Sequence, residues 1–437
     1  MGRNHGRCAA PADARNGALS TTPAADPTTS PRNPMDTHLP TIIVPSPDWR
    51  RSAPSTFALA VLLSTSLCPA QDIHVPAQYP TIQQAVNAAN SGQRIVIAAG
   101  VHEEQIVIDG KNLSLSGEPG TVIQSPLALI PVPLGSQMLS PVLVVTDADT
   151  LGIDGIAFDG LRRGDALPRL TGVFYSGVGG RISNCSFTGF RSQNLAAQPG
   201  PERAIEMVNP VTSGQGQLRC DVLDCTFADN LDSIYLSGDP SVDPTAVQIR
   251  AHIVGNHITG VGPTPQKNQR GIFLDVGVTG EVRQNTITDH VYLGPASFSI
   301  AIEVGSASLV PVTPYARPIV WIRSNTLSNN NAGIAAFYAD HSLVFGNTVT
   351  GGPFALAGIG LSGDGVFAFA NSIVMTGSVV PGHSGFLLLG AEFNALFNTG
   401  FASDTRVFFN SITGATTAIA EQTGVTGTWA LGNITFP

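Results

Sequence analysis

Residues 322–350 read IRSNTLSNNNAGIAAFYADHSLVFGNTVT, and this stretch contains one motif twice. An apolar residue, two variable residues, an Asn, one variable residue and a second apolar residue occur as IRSNTL (322–327) and again as VFGNTV (344–349). Between them lies GIAAF (333–337), a short apolar run opened by a small residue. Each segment alternates with the period of two expected of a strand. The two Asn residues, Asn325 and Asn347, are 22 residues apart, and Asn371 follows 24 later, a length that suits three short strands and their turns.

The pattern extends in both directions. ISNCSF (182–187), VLDCTF (222–227), VRQNTI (282–287) and VFFNSI (407–412) match it, and IVGNHI (253–258) and FANSI (369–373) match with small deviations. The anchors are Cys185, Cys225, Asn256, Asn285, Asn325, Asn347, Asn371 and Asn410, while Asn398 falls in a stretch, 386–410, that has no clean register. The intervening runs are AIEMV (204–208), SIYLS (233–237), GIFLD (271–275), AIEVG (301–305), GIGLS (358–362), GFLLL (385–389) and AIAEQ (418–422). Repeats of this size are supersecondary units that bury their apolar faces only by stacking. The expected fold is all-β: a right-handed single-stranded parallel β-helix, with the anchor Asn amides bonded up and down one column.

A solenoid also needs a covered end. In PTIQQAVNAANSG (80–92), Ile82, Ala85, Val86 and Ala89 share one helical face and Gly92 is placed to end the helix, so a short N-terminal capping helix is expected there. The strands and Gly turns of 94–124 then form the first coil. The whole stretch YPTIQQAVNAANSGQRIVIAAGVHEEQIVIDGKNLSLSGEPG (79–120) resembles the N-terminal cap and first coil of pectin methylesterases and of other pectin-lyase-like β-helix proteins. The resemblance implies the fold. It does not carry the esterase activity, because that family's Gly-Arg-Pro-Trp and Val-Asp-Phe-Ile-Phe-Gly segments are absent. The Asp-Pro-His-Asp run of alginate epimerases, the paired-Asp and Gly-His-Gly signature of polygalacturonases and the calcium-binding glycine-rich nonapeptide are absent too.

Two parts are expected: a leader over 1–70 and a β-helix over 71–437. The leader is polar and rich in Pro, Ala and Thr to residue 49, with Met35 as a second start. Arg50-Arg51, an apolar run from Phe57 to Leu67 and Cys68-Pro69-Ala70 then have the three parts of a secretory signal, so a secreted or otherwise extracytoplasmic protein without membrane insertion is expected. Beyond residue 71 there are 16 basic and 27 acidic side chains, and the only lysines are Lys111 and Lys267. Such a surface repels nucleic acid and anionic membranes. Cys185 and Cys225 should stack on neighbouring coils, either as a disulfide or as two apolar rungs, with the rungs favoured. His252 and His257 lack a third ligand, so neither a metal site nor a cofactor is expected.

From Cys185 to Asn325 the anchors are spaced 40, 31, 29 and 40 residues apart. The extra residues form insertions at 191–203, 209–218, 238–246, 261–270 and 305–317, so the wall they flank is the expected site. If the Ile of each intervening run points inward, the next residue points outward, giving the column Glu206, Tyr235, Phe273, Glu303, with Asp275 two residues beyond Phe273 on the same face. Asp275 and Glu303 should then lie roughly 5–9 Å apart. That spacing suits two carboxylates working on a glycosidic bond, and Glu206 adds a third. Tyr235 and Phe273 are expected to stack on sugar rings, and Lys267, Arg270 and His290, assigned to flanking loops, to serve a uronate substrate. The expected function is a secreted polysaccharide-directed protein of hydrolase or lyase type, with a neutral glycan ahead of a uronate. The alternatives are a non-catalytic carbohydrate binder and a structural surface module with a solvated acidic column.

Overall fold

The computed structural model describes residues 71–197, 200–210, 216–238, 248–295, 297–305, 319–391 and 401–437. The leader and its signal segment, Asn398 and most of the 238–246 and 305–317 insertions lie outside these residues.

The described chain winds as a parallel β-helix. Each coil contributes one strand to each of three sheets, as in Val320–Arg323, Thr326–Ser328 and Ala332–Ala336, after which Leu343–Phe345 opens the next coil on the first sheet. Among the described residues the first sheet stacks 13 strands and the second 12, and every rung in both is parallel and in register. The third sheet, of 12 strands, stacks 11 of them in the same way from Ile106–Asp109 to Thr417–Glu421, and the twelfth, Val132–Leu134, pairs antiparallel off this stack.

The Asn column forms as expected. Each side-chain Nδ2 donates to Oδ1 of the Asn on the following coil, at 2.9 Å from Asn256 to Asn285 and 3.0 Å from Asn285 to Asn325. The ladder continues through Asn347 and Asn371 to Asn410 with each step at 2.9 Å. It passes directly from Asn371 to Asn410 and ends on Asn433, a rung that the weak match of ALGNIT (430–435) hides in the sequence. The same Nδ2 of Asn325 also donates to Val282 O, so a polar side chain sits in the interior with its amide satisfied. The residue before each rung turns the corner in the left-handed region, with φ of 57° at Gln284, 54° at Ser324 and 54° at Ala370. Cys185 and Cys225 occupy the same column on earlier coils as free, buried thiols, and the Cys225 N–H donates to Asn256 Oδ1 at 2.9 Å.

Inside the coil the core is a set of like-on-like columns. Phe158, Phe187 and Phe227 stack at 5.0 and 5.1 Å, and Ile258, Ile287, Leu327 and Val349 continue their column. Each such side chain contributes about 1.5–3 kcal/mol when fully buried. The small residue opening each run of the third sheet is dictated by close approach: a Cβ on Gly271 would lie 2.5 Å from Ala301 O.

The capping helix spans Ile82–Ala88. Thr81 caps it by accepting from Gln84 N, and the Glu104 carboxylate accepts from the free N–H groups of Ile82 and Gln83 at 2.9 and 3.0 Å. Ile82, Ala85, Val86 and Ala89 are buried, as their spacing implies. Gly92 does not end the helix. Ala89 does, in an extended conformation, and the positive φ of Gly92 serves a later turn.

Candidate functional site

The insertions fall at the two edges of the third sheet. Those at 191–203 and 261–270 lead into its strands Arg203–Asn209 and Arg270–Leu274, and those after Asn209, Gly238 and Val304 lead out of it.

The outward column exists in the expected register, with Glu206 paired to Tyr235, Tyr235 to Phe273 and Phe273 to Glu303. Its environment differs from a solvated acidic face: Glu206 is 0% exposed, Glu303 2%, Phe273 7% and Asp275 8%. Arginines account for the burial. Glu206 Oε1 accepts from Arg203 Nη1 at 2.6 Å and from Arg169 Nη2, and Glu303 Oε2 accepts from Arg270 Nε. Arg169 comes from the preceding coil and sits at φ 44°, a left-handed conformation that costs an arginine of order 1 kcal/mol or more and occurs most where function demands it. Among the described residues Asp275 makes no ion pair. Its Oδ2 accepts from the Tyr235 hydroxyl at 2.8 Å and its Oδ1 from Val276 N at 2.8 Å.

Directly before each small residue runs a second column, Arg203, Asp232, Arg270, in register on successive coils. Asp232 is fully buried, its Oδ2 lies 3.8 Å from both Arg203 Nε and Arg270 Nη1, and neither oxygen has a hydrogen bond among the described residues. Beside it, Glu202 accepts from Ser192 Oγ at 3.0 Å, and its second oxygen is without a partner. Glu206 Oε2 is likewise unpartnered. Five carboxyl groups, Glu202, Glu206, Asp232, Asp275 and Glu303, thus crowd against three guanidiniums, Arg169, Arg203 and Arg270. Burial pushes the Glu202 carboxyl up to about 7 and raises those of Asp275 and Glu303 against the pull of their partners. The cluster therefore holds carboxylic acids above the ordinary carboxylate range, beside a carboxylate bracketed by two guanidiniums.

The cluster opens into a cleft of about 420 Å³, lined by Gln137, Arg169, Arg203, Glu206, Tyr235 and Ser237 among others. The expected sugar platforms are partly covered: Arg203 lies 3.3 Å from the Tyr235 ring centroid and Arg270 4.9 Å from that of Phe273, while the two rings meet edge to face at 5.2 Å. Of the three residues assigned to flanking loops, Lys267 is half-buried in the loop before Arg270. Arg270 is instead the first residue of a strand and part of the charge stack. His290 is fully buried and its imidazole is pushed down to about 4 by that burial, which removes it from the groove. Among the described residues no group of three or more His, Cys, Asp or Glu is arranged to hold a metal ion, and no helix is long and apolar enough to cross a membrane.

Glu202, Arg203, Asp232 and Arg169 were not reached from the sequence. For Arg203, Asp232 and Arg270 the signal was one position upstream of the quoted runs, where the charge changes sign from coil to coil.

No family model matches the sequence, and no curated protein matches it. Solved structures do match. The GH136 lacto-N-biosidase from Eubacterium ramulus is 12% identical with a TM-score of 0.55 over 81% of this chain, which spans 64% of the enzyme, less than two thirds of its length. The Dettilon tailspike protein is 16% identical with a TM-score of 0.54, over 84% of this chain and 68% of that one. The family 28 exopolygalacturonase of Yersinia enterocolitica is 10% identical with a TM-score of 0.50, over 84% of this chain and 78% of that one. The chain has the pectin-lyase-like right-handed parallel β-helix fold.

Proposed function

We propose that the chain is an extracytoplasmic glycan-directed protein whose cleft over the third sheet binds a neutral oligosaccharide, and that hydrolysis of a glycosidic bond is the reaction its carboxyl groups are equipped for. One observation supports this reading: Glu206, which lines the open cleft, keeps a buried carboxylate oxygen without a hydrogen-bond partner among the described residues, and Glu202 and Asp232 keep others in the same charge cluster. An orphan acceptor of this kind costs about 1–3 kcal/mol, more when charged, so a purely structural face has no reason to retain several. A hydroxyl-rich ligand in the cleft supplies a donor where Glu206 Oε2 lacks one. The excess of carboxyl groups over guanidiniums disfavours a polyanion. It also offers the two kinds of carboxyl group that glycoside hydrolysis uses, one raised by burial and one ion-paired to guanidiniums. Asp275, raised by burial, is the proton donor in this reading, and Glu206, bracketed by Arg169 and Arg203, is the carboxylate. Tyr235 bridges them, lining the cleft and bonding Asp275. The presence of a lacto-N-biosidase and an exopolygalacturonase among the proteins of like fold agrees with this direction, and the basic, apolar and small-residue order of 50–70 supports export.

A second reading is a non-catalytic glycan binder, favoured by the capture of Glu303 by Arg270, which leaves one expected catalytic carboxylate engaged. The two separate in one assay. The protein is incubated with a panel of neutral and uronate-containing glycans while reducing ends and unsaturated-uronate absorbance are followed. Reducing ends without absorbance, lost in Glu206→Gln and Asp275→Asn, support hydrolysis. Absorbance overturns it in favour of elimination, and binding without either product leaves the binder.

A further inference from the structure

We infer that the outer face of the first sheet is a second glycan-binding surface, separate from the cleft and built to hold one extended neutral chain along the axis of the helix. Over the earlier coils this face is polar and ion-paired: Asp221 bonds His252 at 3.0 Å, and Glu281 bonds Arg283 and Arg323. From residue 321 onward its character changes. The outward column there runs Trp321, Leu343, Phe367, Arg406, Trp429 on five successive coils. Beside it, two residues along each strand, run Phe345, Phe369 and Phe408. Trp321 is 49% and Trp429 66% exposed, and the phenylalanines are half-buried. Phe345 and Phe369 lie parallel at 4.9 Å with a 2° interplanar angle, and Arg406 covers Phe367 at 4.8 Å from its centroid.

Spacing identifies the occupant. Coils repeat at about 4.8 Å, so aromatic residues at alternate rungs of the first column recur every ~10 Å. Two sugar residues of an extended β-linked chain advance by close to the same distance, so every second ring would meet Trp321, Phe367 and Trp429 in turn. The ribbon is narrow: two columns ~7 Å apart over four steps of ~4.8 Å cover on the order of 130 Å². A stable protein dimer needs roughly 800 Å² on each partner. Its charged groups are of both signs, Glu281, Asp364 and Asp404 with Arg250, Arg283, Arg323 and Arg406, which suits an uncharged ligand. Hydrogen-bonding groups stand where hydroxyls would need them. A hollow of about 330 Å³ beside Trp321 is lined by Arg250, His252 and Glu281, and one of about 610 Å³ beside Trp429 by His341, Asp364 and Asp404. Exposed aromatic surface of this kind, flanked by polar groups, marks a recognition site, not a solvated sheet face.

The test is affinity electrophoresis of the full chain in gels containing hydroxyethylcellulose, xylan, mixed-linkage β-glucan or glucomannan, with analytical ultracentrifugation alongside. The wild-type chain should be retarded by at least one polymer. Trp321→Ala and Trp429→Ala should each weaken that binding about tenfold, one aromatic contact's worth. Trp321→Phe should retain most of it. Both tryptophans are exposed, so these variants keep the fold, which circular dichroism checks. No retardation by any polymer, retardation lost in Glu206→Gln but kept in Trp321→Ala, or concentration-dependent dimers abolished by Trp321→Ala would each overturn the proposal.

Discussion

The Tyr235 hydroxyl donates to Oδ2 of Asp275, 2.8 Å away on the adjoining coil, and is the one side-chain donor to this buried carboxyl among the described residues. Burial raises the Asp275 carboxyl, and the tyrosine's hydrogen bond opposes that rise. In Tyr235→Phe the opposition is gone, so Asp275 stays protonated to higher pH. If Asp275 donates the proton in catalysis, the alkaline limb of the pH–rate profile moves to higher pH. Losing the bond should also cost about 1–3 kcal/mol in urea unfolding. A limb that stays in place rules out Asp275 as the donor.

Glu202 predicts a pH-dependent stability. Its folded carboxyl is raised to about 7 from the ordinary 4.5, so the folded chain binds this proton more tightly than the unfolded one. Unfolding free energy therefore falls as pH rises from about 4.5 to about 7, by up to ~3 kcal/mol at 1.4 kcal/mol per unit. Urea titrations at pH 4.5, 6 and 7.5 should show the decline in the wild type, and Glu202→Gln should flatten it, with the choice of pH values following the same ~4.5–7 window. An unchanged slope in the variant would falsify the assignment.

The ladder predicts position-dependent costs. Asn325 is buried and engaged on both sides, donating to Asn347 and to Val282 O while accepting from Asn285. Asn325→Ala strands the Asn285 N–H and amide together, so a loss of roughly 2–4 kcal/mol is expected. Asn433 is half-buried at the last rung, and Asn433→Ala should cost ~1 kcal/mol. Equal losses at the two sites would show that the ladder does not act as a connected unit.

Gly271 tests the small-residue column of the third sheet. Its added Cβ would meet Ala301 O at 2.5 Å, a backbone atom that can move only with the whole coil. Gly271→Ala should lower stability by ~1–3 kcal/mol despite being a single methyl, and should loosen the Arg270 and Phe273 side chains on either side of it. The measurement is thermal unfolding of the variant together with binding at the cleft.

The solenoid was legible because it is written in register. A residue type recurring on every coil, as Asn does from Asn256 to Asn410, reports a column whichever way the chain bends between rungs. The outward column Glu206, Tyr235, Phe273, Glu303 was legible for the same reason. Its burial was not. Arg169 reaches Glu206 from a loop 37 residues upstream, and no period links the two. Glu202 was invisible for a different reason: its carboxyl is raised by burial, against the pull of the Ser192 hydrogen bond, in a place so tight that a Cβ on Gly164 would lie 2.3 Å from Glu202 Oε1. Gly92 misled because glycine after a helical face is a common stop, whereas here the chain leaves the helix at Ala89.

Coils can be gained or lost whole. Residues 326–347 amount to one turn of 22 residues, and removing them would join the strand Val320–Arg323 to a following turn without changing a single rung-to-rung bond type. Yet the outer face would change parity: Trp321 and Phe367, now two rungs apart, would become neighbours. A whole-coil deletion or duplication is thus silent for the interior and frame-shifting for the surface, so the interior sets which lengths are allowed and the spacing of the surface aromatics selects among even and odd numbers of coils.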